Sequence, residues 1–276
     1  MADTAREADA DRFDFYDAHY RRFDTGLADA LRREIYGEDL GQTGWRTAAE
    51  QADIADLLRL GPDVHLLDVA CGSGGPSLDL AERTGCRVTG LDLEPAGIAR
   101  AEARAAARGL ADRVDFRVAD CGGRLPFTDG AVDAVLCVDA INHLPDRSGT
   151  LREWARLLRP GGRLLFTDPV VVTGAVAKTE LDVRAALGFY LFVPPGLNEA
   201  AVAGAGLNLL HREDRTEAIA GIAGRWHAVR ARHAPELEQQ EGTAWFAQRQ
   251  RFLAVTAELA ASGRLSRFLH LAEKPA

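Results

Sequence analysis

The stretch Leu66-Leu67-Asp68-Val69-Ala70-Cys71-Gly72-Ser73-Gly74-Gly75 decides the fold. It reads as a buried strand that ends beside an acid and breaks into a glycine turn. Pro76 follows, a residue tolerated in the first turn of a helix because its missing N–H is not needed there. A strand, a glycine turn and a helix N-terminus bring backbone N–H groups close to a ligand. The dinucleotide pattern G-x-G-x-x-G would need glycine or alanine three residues after Gly74. Position 77 is serine, so that pattern fails. Asp68, just ahead of the turn, would also repel a pyrophosphate.

Working outward, strands are expected at 64–69, 86–91, 114–118, 133–138 and 162–168, with helices at 76–84, 95–109 and 149–159. Alternating strands and helices imply βαβ units and a mostly parallel sheet. Residues 9–60 read as helical, with Phe13, Tyr16, Tyr20 and Phe23 on one face. Residues 35–45 are a glycine-broken loop. Beyond Asp168 the alanine-rich runs 170–205 and 216–260 read as helical. They flank two further strands, 207–213 and 265–272, expected as the last hairpin of the sheet. The chain divides into an N-terminal helical lid (1–60), a ligand-binding core (61–168) and a cap with the last two strands (169–276).

Three acids stand at successive strand ends: Asp68, Asp92 and Asp120. Ligands of open α/β sheets bind at the carboxyl ends of the strands. A carboxylate at Asp92 can accept both hydroxyls of a ribose, with Glu94 left to cap the next helix. Asp120, with the N–H of Cys121, can read an adenine edge; a turn aspartate is the bland reading of the same residue.

The ordered set D-x-A-C-G-S-G (68–74), Asp92, Asp120-Cys121, the segment 139–144 and Pro160-Gly161-Gly162 resembles class I S-adenosylmethionine-dependent methyltransferases across residues 62–168. The resemblance implies an α/β, Rossmann-like sheet of seven strands with the last strand antiparallel, carrying a helical lid and cap. It implies S-adenosylmethionine as methyl donor and S-adenosylhomocysteine as product. Asp68, Ala70, Gly72 and Gly74 would hold the methionine part, Asp92 and Leu93 the ribose, and Asp120 and Cys121 the adenine. Val138 and Gln42 would complete the cofactor site.

An amine or hydroxyl acceptor must lose a proton to be methylated, and a histidine suits that task near neutral pH. His143, just past the fourth strand, is the candidate base, with Asp139 and Tyr20 beside it. A histidine that only packs on the cofactor is the competing reading. Tyr36-Gly37-Glu38-Asp39 through Trp45 resembles a segment of the sarcosine/dimethylglycine, phosphoethanolamine and tocopherol methyltransferases. Asp139-Ala140-Ile141-Asn142-His143-Leu144 is similar to the D-A-I-x-H-L segment of the phosphoethanolamine enzymes. Two features depart from that group. Its active-site tyrosine aligns with Asp24, so Tyr20 or Tyr16 would have to substitute. Its aromatic and basic phosphate-binding set after the fifth strand is missing. The apolar run 187–192 lies there instead, either lining a pocket or packing on the sheet. Tyr16, Trp45, Phe189 and Tyr190 are the acceptor-side candidates. The cluster Arg212, Arg215, Arg225, Arg230 and Arg232 is interspersed with acids and reads as a solvated face.

Bulk properties narrow the partners. A formal net charge of −8 argues against a broad nucleic-acid footprint. No apolar run approaches a membrane span, and the acidic N-terminus shows no signal peptide. The four cysteines form no C-x-x-C pair, which fits reduced buried thiols in a cytoplasmic protein. The expectation is transfer of a methyl group to nitrogen or oxygen of a small molecule by a monomer or homodimer, with nitrogen favoured by the segment 37–39. Carbon methylation, a macromolecular acceptor and an NAD(P)-binding oxidoreductase are the alternatives.

Overall fold

In the computed structural model, Tyr20 and residues 25–276 are described. Phe13, Tyr16, Phe23 and Asp24 therefore lie outside the described residues. Helices α1 (Gly26–Tyr36) and α2 (Ala48–Leu57) precede the sheet. The core then runs β1 (His65–Val69), α3 (Gly75–Thr84), β2 (Arg87–Asp92), α4 (Pro95–Ala107), β3 (Val114–Val118), β4 (Val132–Cys137), α5 (Arg147–Leu157) and β5 (Leu158–Val172). It continues with α6 (Lys178–Arg184), α7 (Leu197–Gly204), β6 (Asn208–Asp214), α8 (Thr216–Arg232), α9 (Ala234–Glu241), α10 (Thr243–Ala261) and β7 (Leu265–Glu273).

The strand order is β3-β2-β1-β4-β5-β7-β6. Strands β1 to β5 pair parallel with one another, and β7 runs antiparallel to both β5 and β6. This is the α/β sheet expected from the sequence, with its last strand reversed. The central strands are apolar on both faces because helices cover both. Leu66, Ala134, Leu136 and Leu165 pack with Leu78 and Leu80 of α3 and Ile98 and Ala101 of α4. Their chain neighbours Leu67, Val135 and Leu164 point the other way, onto Leu151 and Trp154 of α5.

Several boundaries differ from expectation. Strand β5 extends past 162–168 at both ends: Leu158 pairs with Val132 of β4, and the β7 ladder continues to Val172 across an irregularity after Asp168. Residues 185–196 are not helical; Val193 instead bridges to Val171. The last two strands do pair antiparallel, but they are not a tight hairpin, since α8, α9 and α10 lie between them. Helix α4 is not capped by the Glu94 side chain; Asp92 Oδ1 accepts the Glu94 N–H instead, at 2.9 Å.

The helices around the core divide by what they pack on. Ile54 and Leu58 join the sheet core. Leu31 and Ile35 of α1 join Ile222, Trp226 and Val229 of α8 and Phe252 and Leu253 of α10. The arginines of the expected solvated face stitch these pieces together. Arg215 pairs with Asp53, Arg230 with Glu241, Arg232 with Glu34, and Arg225 donates to the Ile35 carbonyl.

Candidate active site

The glycine turn is built from positive φ angles at Ala70 (59°), Gly72 (59°) and Gly74 (69°). Gly74 caps α3 with no side-chain hydrogen bond, so that helix end offers bare N–H groups. A Cβ at Gly74 would stand 2.6 Å from Ala101 Cβ and 2.7 Å from Phe116 Cζ, so nothing but hydrogen fits. The Tyr20 hydroxyl lies over the turn, 2.5 Å from where a Cβ on Gly72 would be.

Asp92 braces the turn from β2: its Oδ2 accepts the Gly72 N–H at 2.8 Å. Burial raises its pKa, against the lowering effect of the backbone N–H donors around it. Each carboxylate oxygen keeps a second lone pair for a ligand hydroxyl. Asp68 is 3% exposed and takes the Ser77 hydroxyl at 2.5 Å. Burial pushes its pKa up to about 6, while Arg46 and Ser77 pull it down. The loop after α1 lies directly on the turn. Ser73 Oγ donates to the Gly41 carbonyl at 3.1 Å, and a Cβ on Gly75 would collide with the Leu40 carbonyl oxygen. That loop is itself pinned to the cap. Tyr36 donates to the Gly44 carbonyl at 2.8 Å and accepts from Trp226 Nε1 at 3.1 Å.

Past β4, Asp139 adopts φ 57°. Its carboxylate accepts the Trp45 N–H at 2.8 Å, the Thr167 hydroxyl at 2.7 Å and Arg267 Nε at 2.6 Å. Burial alone would raise this carboxyl, but Arg267, Trp45 and Thr167 hold it below the usual range. Arg267 also grips Glu50 with two hydrogen bonds, at 2.8 and 2.7 Å. His143 ends a short 3₁₀ turn, Ile141–His143. Its Nδ1 lies 2.6 Å from the Phe189 carbonyl. A carbonyl only accepts, so Nδ1 carries a proton, and in the neutral form of the ring the lone pair is on Nε2. The His143 and Tyr190 rings meet edge to face at 4.8 Å. The loop that carries Phe189 and Tyr190 is fixed from two sides. The Leu191 N–H donates to the Asn142 carbonyl at 2.8 Å, and Arg147 Nη2 donates to the Leu191 carbonyl at 3.1 Å.

These elements enclose a cavity of about 260 Å³. Ala70, Gly72, Asp92, Leu93, Asp120 and Cys121 line one end. Trp45, His143, Phe189 and Tyr190 line the other, with Val138, Asp139, Gln42 and Tyr20 also on the wall. Asp68 and Gly74 are not among the lining residues; they lie behind it and support it. Gln42 spends its amide on its own loop, donating to the Glu38 carbonyl and accepting the Leu40 N–H. Burial pushes the Cys121 thiol up to about 12, so it is neutral. The arginines of the 212–232 cluster do not line the cavity. Residues that the sequence reading missed do: Arg46, Arg184, Trp226, Arg249 and Phe252. Arg46 adjoins Trp45 in the loop before α2; no local signal marks the other four, because α6, α8 and α10 reach the site only through tertiary packing.

The glycine cradle, the bare helix end and Asp92 fit an adenosyl amino acid, and comparison with known proteins agrees. Residues 67–166 match the family described as methyltransferase domain. The chain is 34% identical over 151 residues to 27-O-demethylrifamycin SV methyltransferase of Amycolatopsis mediterranei, covering 51% of this chain and 55% of that protein. It is 31% identical over 197 residues to sterol 24-C-methyltransferase ERG6B of Gibberella zeae, covering 69% and 51%. It is 34% identical over 142 residues to sarcosine/dimethylglycine N-methyltransferase of Halorhodospira halochloris, covering 49% of each. The chain thus spans about half the length of the curated relatives it matches. Among solved structures, the cyclopropane synthase MmaA2 of Mycobacterium tuberculosis shares the fold at a TM-score of 0.80 and 19% identity, covering 95% of this chain and 98% of that one. The motifs, the sheet order and the family match lead to one conclusion: residues 67–166 are a methyltransferase domain of the S-adenosylmethionine-dependent class.

Proposed function

We propose that the chain transfers a methyl group from S-adenosylmethionine to a nitrogen or oxygen of a small-molecule acceptor. The observation that carries this reading is the continuous cavity joining the glycine turn and Asp92 to His143 and Tyr190. The donor, when bound, supplies a methyl group activated on a sulfonium. The protein's work is then to position the acceptor and manage its proton.

In this reading the α3 N-terminus and the turn at Gly72 hold the amino acid part, with Asp68 behind them. The remaining lone pairs of Asp92 accept the ribose hydroxyls, beside Leu93. Asp120 and Cys121 flank the adenine. Tyr20 covers the turn, and Gln42 and Val138 complete the wall. His143 Nε2 takes the acceptor's proton, because Nδ1 is committed to Phe189. Asp139 has its oxygens occupied and its pKa lowered, so it serves as an anchor for Trp45 and not as a base. Trp45, Phe189 and Tyr190 contact the acceptor. The enclosing helices limit its size, which supports a small molecule over a macromolecule. The four cysteines are free and buried, which supports a reducing compartment such as the cytoplasm.

Carbon methylation is the second reading. It is favoured by the 197-residue match to a sterol C-methyltransferase. Calorimetry with S-adenosylhomocysteine, NAD and NADP tests the donor. Binding of S-adenosylhomocysteine alone is expected; binding of NAD or NADP without it overturns the reading. Transfer of labelled methyl to amines and phenols, set against alkenes, RNA and protein, decides the acceptor class.

A further inference from the structure

The end of α6 places a guanidinium at the cavity wall with two of its nitrogens unpaired. Arg184 is 1% exposed and lines the cavity. Its Nε and Nη1 are buried without a hydrogen-bond partner among the described residues. Three rings surround it: its Cζ lies 4.7 Å from the Phe252 centroid, 4.9 Å from Tyr190 and 5.9 Å from Trp45. Aromatic faces stabilise the cation but do not satisfy its in-plane N–H donors. A buried donor without a partner is costly, and arginine cannot escape by losing its proton. Methionine or leucine would fill the same space with no such cost.

The missing partner is an anion with oxygens in the guanidinium plane, which describes a carboxylate. Its position is set by Tyr190. That ring meets His143 edge to face at 4.8 Å, and the Arg184 guanidinium carbon lies 4.9 Å from its centroid. The base and the guanidinium are therefore separated by at most the sum of those distances, about the reach of one substituted ring. The surrounding Phe189, Trp226 and Phe252 suit an apolar body between the two groups. The amino acid part of the donor, which the functional reading above places at the glycine turn, has a different cation near it. Arg46 is the guanidinium that interacts with Asp68, behind the glycine turn.

We propose that Arg184 selects the acceptor by pairing with a carboxylate on an otherwise apolar, ring-sized molecule whose nucleophile reaches His143. This rests on the functional reading above and names the substrate class of that site.

The test uses the full chain, with and without S-adenosylhomocysteine, and the probes para-hydroxybenzoate, para-aminobenzoate and their methyl esters. Wild type is expected to bind the acids at least about tenfold more tightly than the esters, a difference readily resolved by calorimetry. Arg184→Met is expected to abolish that preference, to keep its S-adenosylhomocysteine affinity, and to melt at the same temperature or higher. Arg184→Lys should retain part of the preference. The proposal is overturned if wild type shows no preference for acids, if Arg184→Met keeps it, or if that variant loses cofactor affinity to the same degree. Arg184→Met melting well below wild type also counts against it, since the residue would then be structural. Failure of S-adenosylhomocysteine to bind wild type would strike the functional reading instead. The acid-to-ester comparison on the unloaded chain would still report on Arg184.

Discussion

Replacing Arg267 by methionine removes the centre of a buried charge network. Arg267 is 0% exposed, Glu50 0% and Thr167 0%, and Asp139 is a buried carboxylate at the cavity wall. The guanidinium donates to both Glu50 oxygens, to Asp139 Oδ1 and, at 3.3 Å, to Thr167. Methionine fills much of the volume but leaves two buried carboxylates without the guanidinium that bonds them both, with only the more remote charge of Arg46 in common. Removing one partner of a buried ion pair costs about 3–5 kcal/mol. For a chain of this size that corresponds to a fall in Tm of roughly 10 °C. The pH dependence follows from the sign of the shift. In the wild type the Asp139 pKa is depressed, so its stabilisation is present above the ordinary carboxylate range and lost as pH falls through the folded value. In Arg267→Met the largest influence lowering the Asp139 carboxyl is gone, and burial raises it against only the Trp45 and Thr167 hydrogen bonds. The deficit should therefore be largest at about pH 7–8 and should narrow as the carboxyls protonate, below about pH 5. Adding Glu50→Gln should recover part of the loss, because the two sites are coupled. Urea unfolding followed by tryptophan fluorescence across roughly pH 5–8 measures all of this. A deficit under about 1 kcal/mol, or one independent of pH, would refute the reasoning.

Three further outcomes are expected. His143→Ala should lower turnover about 10²–10⁴-fold while the affinity for S-adenosylhomocysteine stays within about twofold; full turnover removes His143 as the base. Gly75→Ala should drive the Leu40 carbonyl off the glycine turn, with a cost of about 1–3 kcal/mol and a clear loss of cofactor affinity; calorimetry and thermal melting read both. Asp68→Asn should stabilise the fold at pH 8 by at most roughly 3 kcal/mol, because the carboxyl it replaces is moved from 3.8 to about 6 and is penalised when charged. That gain should shrink as pH falls below about 6 and vanish near pH 4, where both chains are neutral at this position; urea unfolding at pH 8 and at pH 4 reads the difference.

Much of the sheet was legible in the chain, for a definite reason. His65–Val69 and Val132–Cys137 are short, largely apolar runs, the pattern that covered strands need, and Val114–Val118 at the sheet edge alternates apolar with charged residues up to Arg117. The 185–196 segment was not legible. Its apolar aromatic content suits a helix equally well, and Arg147, Asn142 and Val171 hold it in an irregular path. The donor end of the cavity was also readable, since Asp92 and Asp120 are local to the strand ends that carry them. Asp68 was found, but its place behind the lining was not, because sequence order does not tell which side of a turn a side chain faces.

The sequence by itself determined where the strands turn and which ligand the first turn suits, because glycines at positive φ and acids at strand ends act within a few residues. Only the tertiary structure decided what the acceptor meets. Asp139 was a candidate catalyst until Arg267, 128 residues away, claimed its carboxylate. Arg184 was an ordinary helix residue until Trp45, Tyr190 and Phe252 closed around it. Charges and rings distant in the chain set each other's protonation and exposure only once the fold has brought them together.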